Sequence, residues 1–256
     1  MRKIILSAVL AALYLSSIVF TFRLTLHGYD SNPFTDDPPP VLSYPCDKDN
    51  PKKFDAKEET RATYQIIESH RDEKGKRCDF TGCGVGVNLT SWGYKKQNYV
   101  LTAAHVVAGL DGKPYEDIMI KIKGDWEFVR VIAIDRANDI AVIECEVKVP
   151  HILEISTEEP DVGEKVIDIG APRYSNVHPV LGTLMIKDDI DKRMWVASAP
   201  DYYHGCSGGP LIRLKTHKIV AIASEGILKD FNNMYVGVGK FIKLPIIIKF
   251  LDRIKK

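Results

Sequence analysis

The apolar residues of this chain fall into three patterns. The first is one long run. Ile4 to Phe22 spans roughly 19 residues, broken only by Ser7, Ser16, Ser17 and Thr21, and it follows Arg2 and Lys3. A signal-peptide core has ~7–15 apolar residues and a membrane-crossing helix needs ~20. The length favours an uncleaved membrane anchor, while the small residues within and after the run also suit a cleaved signal. The positive flank, with Asp30, Asp36 and Asp37 beyond the run, puts the rest of the chain outside the cytoplasm. Residues 1–28 are assigned to this segment.

The second pattern is the absence of any period. Residues 29–60 hold Asp36-Asp37-Pro38-Pro39-Pro40 and a charged stretch from Asp47 to Glu59. Proline-rich segments extend and do not join central strands or helices, so this part reads as a linker.

From residue 61 short runs rich in Val, Ile and aromatics recur between turn residues. The predicted strands are Gly84–Leu89, Tyr99–Ala103, Ile118–Ile122, Trp126–Ile134 and Ile140–Val147, then Lys165–Ile169, Val180–Ile186, Met194–Ala199, Pro210–Leu214, Ile219–Ser224 and Tyr235–Ile242. Pro150 and Pro160 separate the two sets. Short strands at this spacing predict an all-β domain over 61–256 with two barrels, about 61–150 and 160–242. Helical periodicity enters last. Leu244, Ile247, Ile248, Leu251 and Ile254 recur at three- and four-residue steps, with Pro245 in the first turn. That predicts an amphipathic helix over 244–256, packed on a barrel.

Composition narrows the function. The net charge is +1 with mixed signs along most of the chain, so nothing drives binding to nucleic acid. The five cysteines are Cys46, Cys78, Cys83, Cys145 and Cys206, and an extracytoplasmic chain can form disulfides. Cys78 and Cys83 are near enough in sequence to bridge, but sequence fixes no connectivity. No Cys-x-x-Cys pair is present to build a zinc site with His204, and no metal or cofactor is expected. Asn88-Leu89-Thr90 is a glycosylation triplet of a kind common by chance.

Three segments carry candidate chemistry. They are Leu101-Thr102-Ala103-Ala104-His105-Val106-Val107, Asn138-Asp139-Ile140-Ala141-Val142-Ile143, and Gly205-Cys206-Ser207-Gly208-Gly209-Pro210-Leu211-Ile212. A serine hydroxyl is a weak nucleophile that needs a neighbouring base. Imidazole exchanges protons near neutrality, and a buried carboxylate fixes its tautomer. Glycines let backbone N–H groups turn toward a developing oxyanion. Taken singly, a strand-end His, an Asp before a strand and a glycine-rich Ser turn each have ordinary structural explanations.

Together the segments resemble the chymotrypsin-like serine proteases, closest to the compact bacterial Deg/Htr-type and viral branches. Thr102-Ala103-Ala104-His105 and Gly205-x-Ser207-Gly208-Gly209-Pro210 are the specific motifs, in the family's order His, Asp, Ser, and the likeness covers about residues 80–242. It implies two six-stranded antiparallel β-barrels and a serine endopeptidase acting on polypeptides through an acyl-enzyme. It makes His105 the general base, Asp139 its orienting acid and Ser207 the nucleophile, with the N–H groups of Gly205 and Ser207 as oxyanion donors. Asp135 is the rival acid, but the apolar run directly after Asp139 fits the family pattern better. The resemblance also places Asp201 at the floor of the substrate pocket, Ser224 and Gly226 along its wall and Gly237 near its mouth. A solvated loop position is the competing reading of Asp201.

Cys206 stands where the digestive and clotting members carry an Asp that pairs with a newly freed N-terminus, so that activation route is not expected. The residues after Ser207 are used by strands and the final helix, leaving no room for the peptide-binding module of many Deg/Htr proteins. Many of those relatives assemble, so an oligomer is open, and the membrane is a further partner through the N-terminal segment.

Two rivals are set against this reading. The nucleophile elbow of α/β-hydrolases also fits Gly205-x-Ser207-x-Gly209, but it requires Ser before acid before His and alternating helices. A membrane-tethered, protease-like binding module without turnover is the other, and the presence of all three chemical residues weighs against it.

Overall fold

The computed structural model describes residues 56–71, 77–109, 111–172, 175–187, 192–198, 204–229 and 234–256. The apolar segment 1–28, most of the linker and Asp201 lie outside the described residues. Among the described residues no helix is long and apolar enough to cross a membrane.

The chain opens with a short helix, α1 (Lys57–Arg61), formed by the last residues of the stretch read as linker. Its buried Glu59 pairs with His217, and Ala56 packs with Ile167, Ile169 and Ile212. Six strands follow: β1 (Thr63–Arg71), β2 (Arg77–Gly86), β3 (Tyr99–Thr102), β4 (Asp117–Ile122), β5 (Asp125–Asp135) and β6 (Ile140–Cys145). They close a barrel in the order β1-β2-β3-β6-β5-β4. A single helical turn, α2 (Ala104–Val107), leaves the end of β3. The second set is β7 (Lys165–Gly170), β8 (His178–Lys187), β9 (Met194–Ser198), β10 (Pro210–Arg213), β11 (Lys218–Lys229) and β12 (Met234–Lys243). It closes a second barrel, β10-β11-β12-β9-β8-β7, and α3 (Leu244–Arg253) completes the chain. Every strand pairing is antiparallel.

Alternation explains which way the strands face. In β4, Ile118, Ile120 and Ile122 are buried and the residues between them are not. They fill the first barrel with Tyr64, Ile66, Val100 and Ile143. Val166, Leu184, Trp195, Leu211, Val220 and Phe241 fill the second. A third cluster joins the barrels, with Leu101, Ile140 and Val142 from one and Ile219, Ile222 and Ile242 from the other. Leu244, Ile247, Phe250 and Leu251 of α3 press into that joint. The helix starts where Pro245 suits its first turn and ends at Arg253, short of the predicted 256; of the stripe the sequence period marks, Leu244, Ile247 and Leu251 are buried and Ile248 and Ile254 half-buried.

Candidate active site

The register between β3 and β6 builds the first half of the site. Thr102 lies opposite Ala141, so the chain leaving β3 meets the chain entering β6. His105 is on the turn after β3 and Asp139 is on the turn before β6. The Ala104 N–H donates to the Asp139 carbonyl oxygen at 3.1 Å. Asp139 holds φ of 55°, in the left-handed region where Asp and Asn are the residues other than glycine that fit best. That backbone turns the carboxylate toward His105. Asp139 Oδ1 accepts from the His105 backbone N–H at 3.0 Å, and His105 Nδ1 lies 2.8 Å from Oδ2. Nδ1 thus carries the hydrogen of this contact and the imidazole Nε2 is left for other chemistry.

Ser224, on β11, brings in the second barrel. Its hydroxyl donates to Asp139 Oδ2 at 2.6 Å. Burial alone would raise the Asp139 carboxyl, but hydrogen bonds and charge from His105, with the Ser224 hydroxyl, outweigh it and hold the group below the usual carboxylate range. The carboxylate is therefore charged at neutral pH.

Ser207 sits on the turn before β10. The β10–β11 ladder continues into this turn: Gly208 N–H donates to Ala223 O, and Ala223 N–H donates to Gly209 O, each at 2.8 Å. This places Ser207 beside Ser224, and the Ser207 hydroxyl donates to the Ser224 carbonyl oxygen at 3.0 Å. Ser224 therefore touches both Ser207 and Asp139. Gly205 and Gly208 both have positive φ, 99° and 83°. A side chain at Gly208 would also strike the Cys83 carbonyl, since its Cβ would fall 2.0 Å from that oxygen. Neither the Gly205 nor the Ser207 N–H has an acceptor among the described residues.

The structure brings His105, Asp139, Ser207, Gly205 and Ser224 into one continuous region. Gly226 lies in β11 opposite Gly239 of β12, and Gly237 lies within β12. The contact of Ser224 with Asp139 was not part of the sequence reading, which put Ser224 on the pocket wall. Asp135, the rival acid, faces elsewhere. Its carboxylate accepts from the Asn138 side chain at 2.7 Å and pairs with Arg253 of α3. Cys83 carries a free, buried thiol, so the Cys78–Cys83 bridge is not made. Among the described residues no group of three or more His, Cys, Asp or Glu side chains could hold a metal ion.

Comparison with known proteins bears on the fold and the family. A curated relative, the probable periplasmic serine endoprotease DegP-like of Hahella chejuensis, is 26% identical over 166 residues, which is 62% of this chain and 34% of that protein. The chain therefore spans about a third of that relative's length. The active form of the Rv3671c protease of M. tuberculosis superposes with a TM-score of 0.62 at 20% identity, covering 88% of this chain and 94% of that one. The serine endoprotease of Yersinia pestis gives 0.59 at 18% identity, covering 78% of this chain and 64% of that one. At such identities the solved structures speak to the fold. Residues 84–222, which contain His105, Asp139 and Ser207, match the model of the trypsin-like peptidase domain, and the chain belongs to that family.

Proposed function

We propose that this chain is a serine endopeptidase that hydrolyses polypeptides through Ser207, His105 and Asp139 by way of an acyl-enzyme. The observation that carries the proposal is the two-pronged contact of Asp139 with the His105 N–H and Nδ1. It leaves Nε2 as the one ring nitrogen able to take a proton.

The steps follow from that arrangement. Rotation about the Ser207 side chain takes the hydroxyl from the Ser224 carbonyl to His105. His105 Nε2 accepts the proton as Oγ attacks the substrate carbonyl carbon. The negative charge that develops on the carbonyl oxygen accepts hydrogen bonds from the Gly205 and Ser207 N–H groups. One such donor is worth about 3–4 kcal/mol in the transition state. The imidazolium is stabilised by the Asp139 charge and then protonates the leaving amine. Water, deprotonated by the same Nε2, splits the Ser207 ester and restores the enzyme.

The name of the Hahella relative supports a periplasmic or other extracytoplasmic setting, as does the order of charges around the N-terminal apolar segment. We place the catalytic domain outside the cytoplasm, tethered by residues 1–28 as an anchor or secreted after their removal as a signal peptide. Asp201 at the pocket floor would favour substrates with Arg or Lys; equal cleavage after Leu and Arg in a peptide panel would sink that preference.

A fluorophosphonate probe followed by peptide mapping tests the core of the proposal. Label on Ser207 in the wild type and none in Ser207→Ala is the expected result. An unlabelled, correctly folded wild type would instead fit a protease-like binding module.

A further inference from the structure

We propose that Cys83 is a positioning residue for the oxyanion turn, acting from the first barrel on Gly205 and Ser207. The inference rests on the serine-protease reading above. Cys83 lies in β2, is fully buried, and is 122 residues from Gly205 in sequence. It grips the turn at two points. Its backbone N–H donates to the Ser207 carbonyl oxygen at 2.7 Å. Its thiol donates to the Gly205 carbonyl oxygen at 3.2 Å. Its own carbonyl is held by the Thr102 hydroxyl at 2.6 Å, so the gripping residue is itself fixed.

These two points decide where the donors aim. The Gly205 carbonyl belongs to the peptide plane before Cys206, and the Ser207 carbonyl to the plane before Gly208. The Ser207 N–H lies in the plane between them and is bracketed by both anchors. The Gly205 N–H lies in the plane that adjoins the first anchor. A glycine at φ of 99° has no Cβ to resist rotation of its peptide planes, so an external contact has to set their angle. The side chain of Cys206 is buried with Val166, Leu184 and Trp195. Burial pushes the Cys83 thiol up to about 12, so the sulfur keeps its hydrogen and remains a donor at neutral pH.

The test compares fluorophosphonate labelling of wild type, Cys83→Ala and Cys83→Ser, with melting curves for each. Alanine removes the donor, and serine restores one. Labelling of Cys83→Ala should be roughly five- to tenfold slower, the range of one modest hydrogen bond. The loss should fall on the maximal rate and not on the half-saturating probe concentration. Cys83→Ser should recover most of the rate. If Cys83→Ala does not fold, Thr102→Val carries the test, because it frees the Cys83 carbonyl without changing side-chain shape, and slower labelling is expected. A Cys83→Ala protein as fast as wild type, Ser and Ala variants equally slow, or an unchanged rate in folded Thr102→Val would each overturn the inference alone. A wild type that is not labelled would overturn the protease reading and this inference with it.

Discussion

Asp135 and Asp139 stand at the two ends of one turn, four residues apart, and their carboxyls serve different parts of the molecule. For both, burial works against the charge, and hydrogen bonds with the attraction of a neighbour, Arg253 for Asp135 and His105 for Asp139, more than offset it, so both sit below the usual carboxylate range. Asp135 closes its own turn through Asn138 and ties down α3 through Arg253. Asp139 reaches across to His105 and to Ser224 of the other barrel. A depressed carboxyl therefore does not identify a catalytic acid. In the proposed mechanism the partner decides: an arginine side chain does not give up its proton, while an imidazole exchanges one.

The contrast can be broken by substitution. The largest effect is expected from Asp139→Asn, which keeps the left-handed backbone but removes the charge that fixes the imidazole. Activity on a peptide substrate should fall by roughly a thousandfold or more, with a melting temperature close to wild type. Abolished activity in Asp135→Asn with full activity in Asp139→Asn would reverse the assignment. Ser224→Ala comes next. It deletes the hydroxyl on Asp139 Oδ2, and turnover should drop about five- to tenfold without loss of fold.

Asp135→Asn should leave turnover within about twofold and lower unfolding stability by about 1–2 kcal/mol in urea titration, with Arg253→Ala matching it. A double substitution no worse than either single one would show that the two act as a pair.

The smallest effect is one of pH. A carboxyl whose folded value is depressed lends stability above its ordinary value and loses it as pH falls through the folded value. The stability gap between wild type and Asp135→Asn should be constant above about pH 5 and narrow as pH falls below about 4. A gap that widens in acid would contradict the Arg253 pairing.

The sequence made much of this legible, and unevenly so. The C-terminal helix was readable because one helix face and a first-turn proline leave a local signature. Strands with alternating apolar positions, such as Ile118–Ile122, were readable for the same reason. β1 was not, because Glu68, Ser69, His70 and Arg71 break the alternation in its second half, and only its pairing with β2 and β4 makes it a strand. The apolar run after Asp139 favoured it over Asp135, and in the structure it is Asp139 that contacts His105 while Asp135 pairs with Arg253. The contacts of Ser224 and Cys83 were not readable. Their decisive contacts span 85 and 122 residues, and neither residue type at its position signals a distant partner.

The left-handed backbone at Asp139 has an evolutionary consequence. Few residues fit there: Asn and Gly do so without strain, and neither carries a charge. A descendant that lost the acid through either would keep both barrels, the glycine turn and the surface proposed to meet a polypeptide. It would be a well-folded pseudoenzyme, released from turnover in a single step.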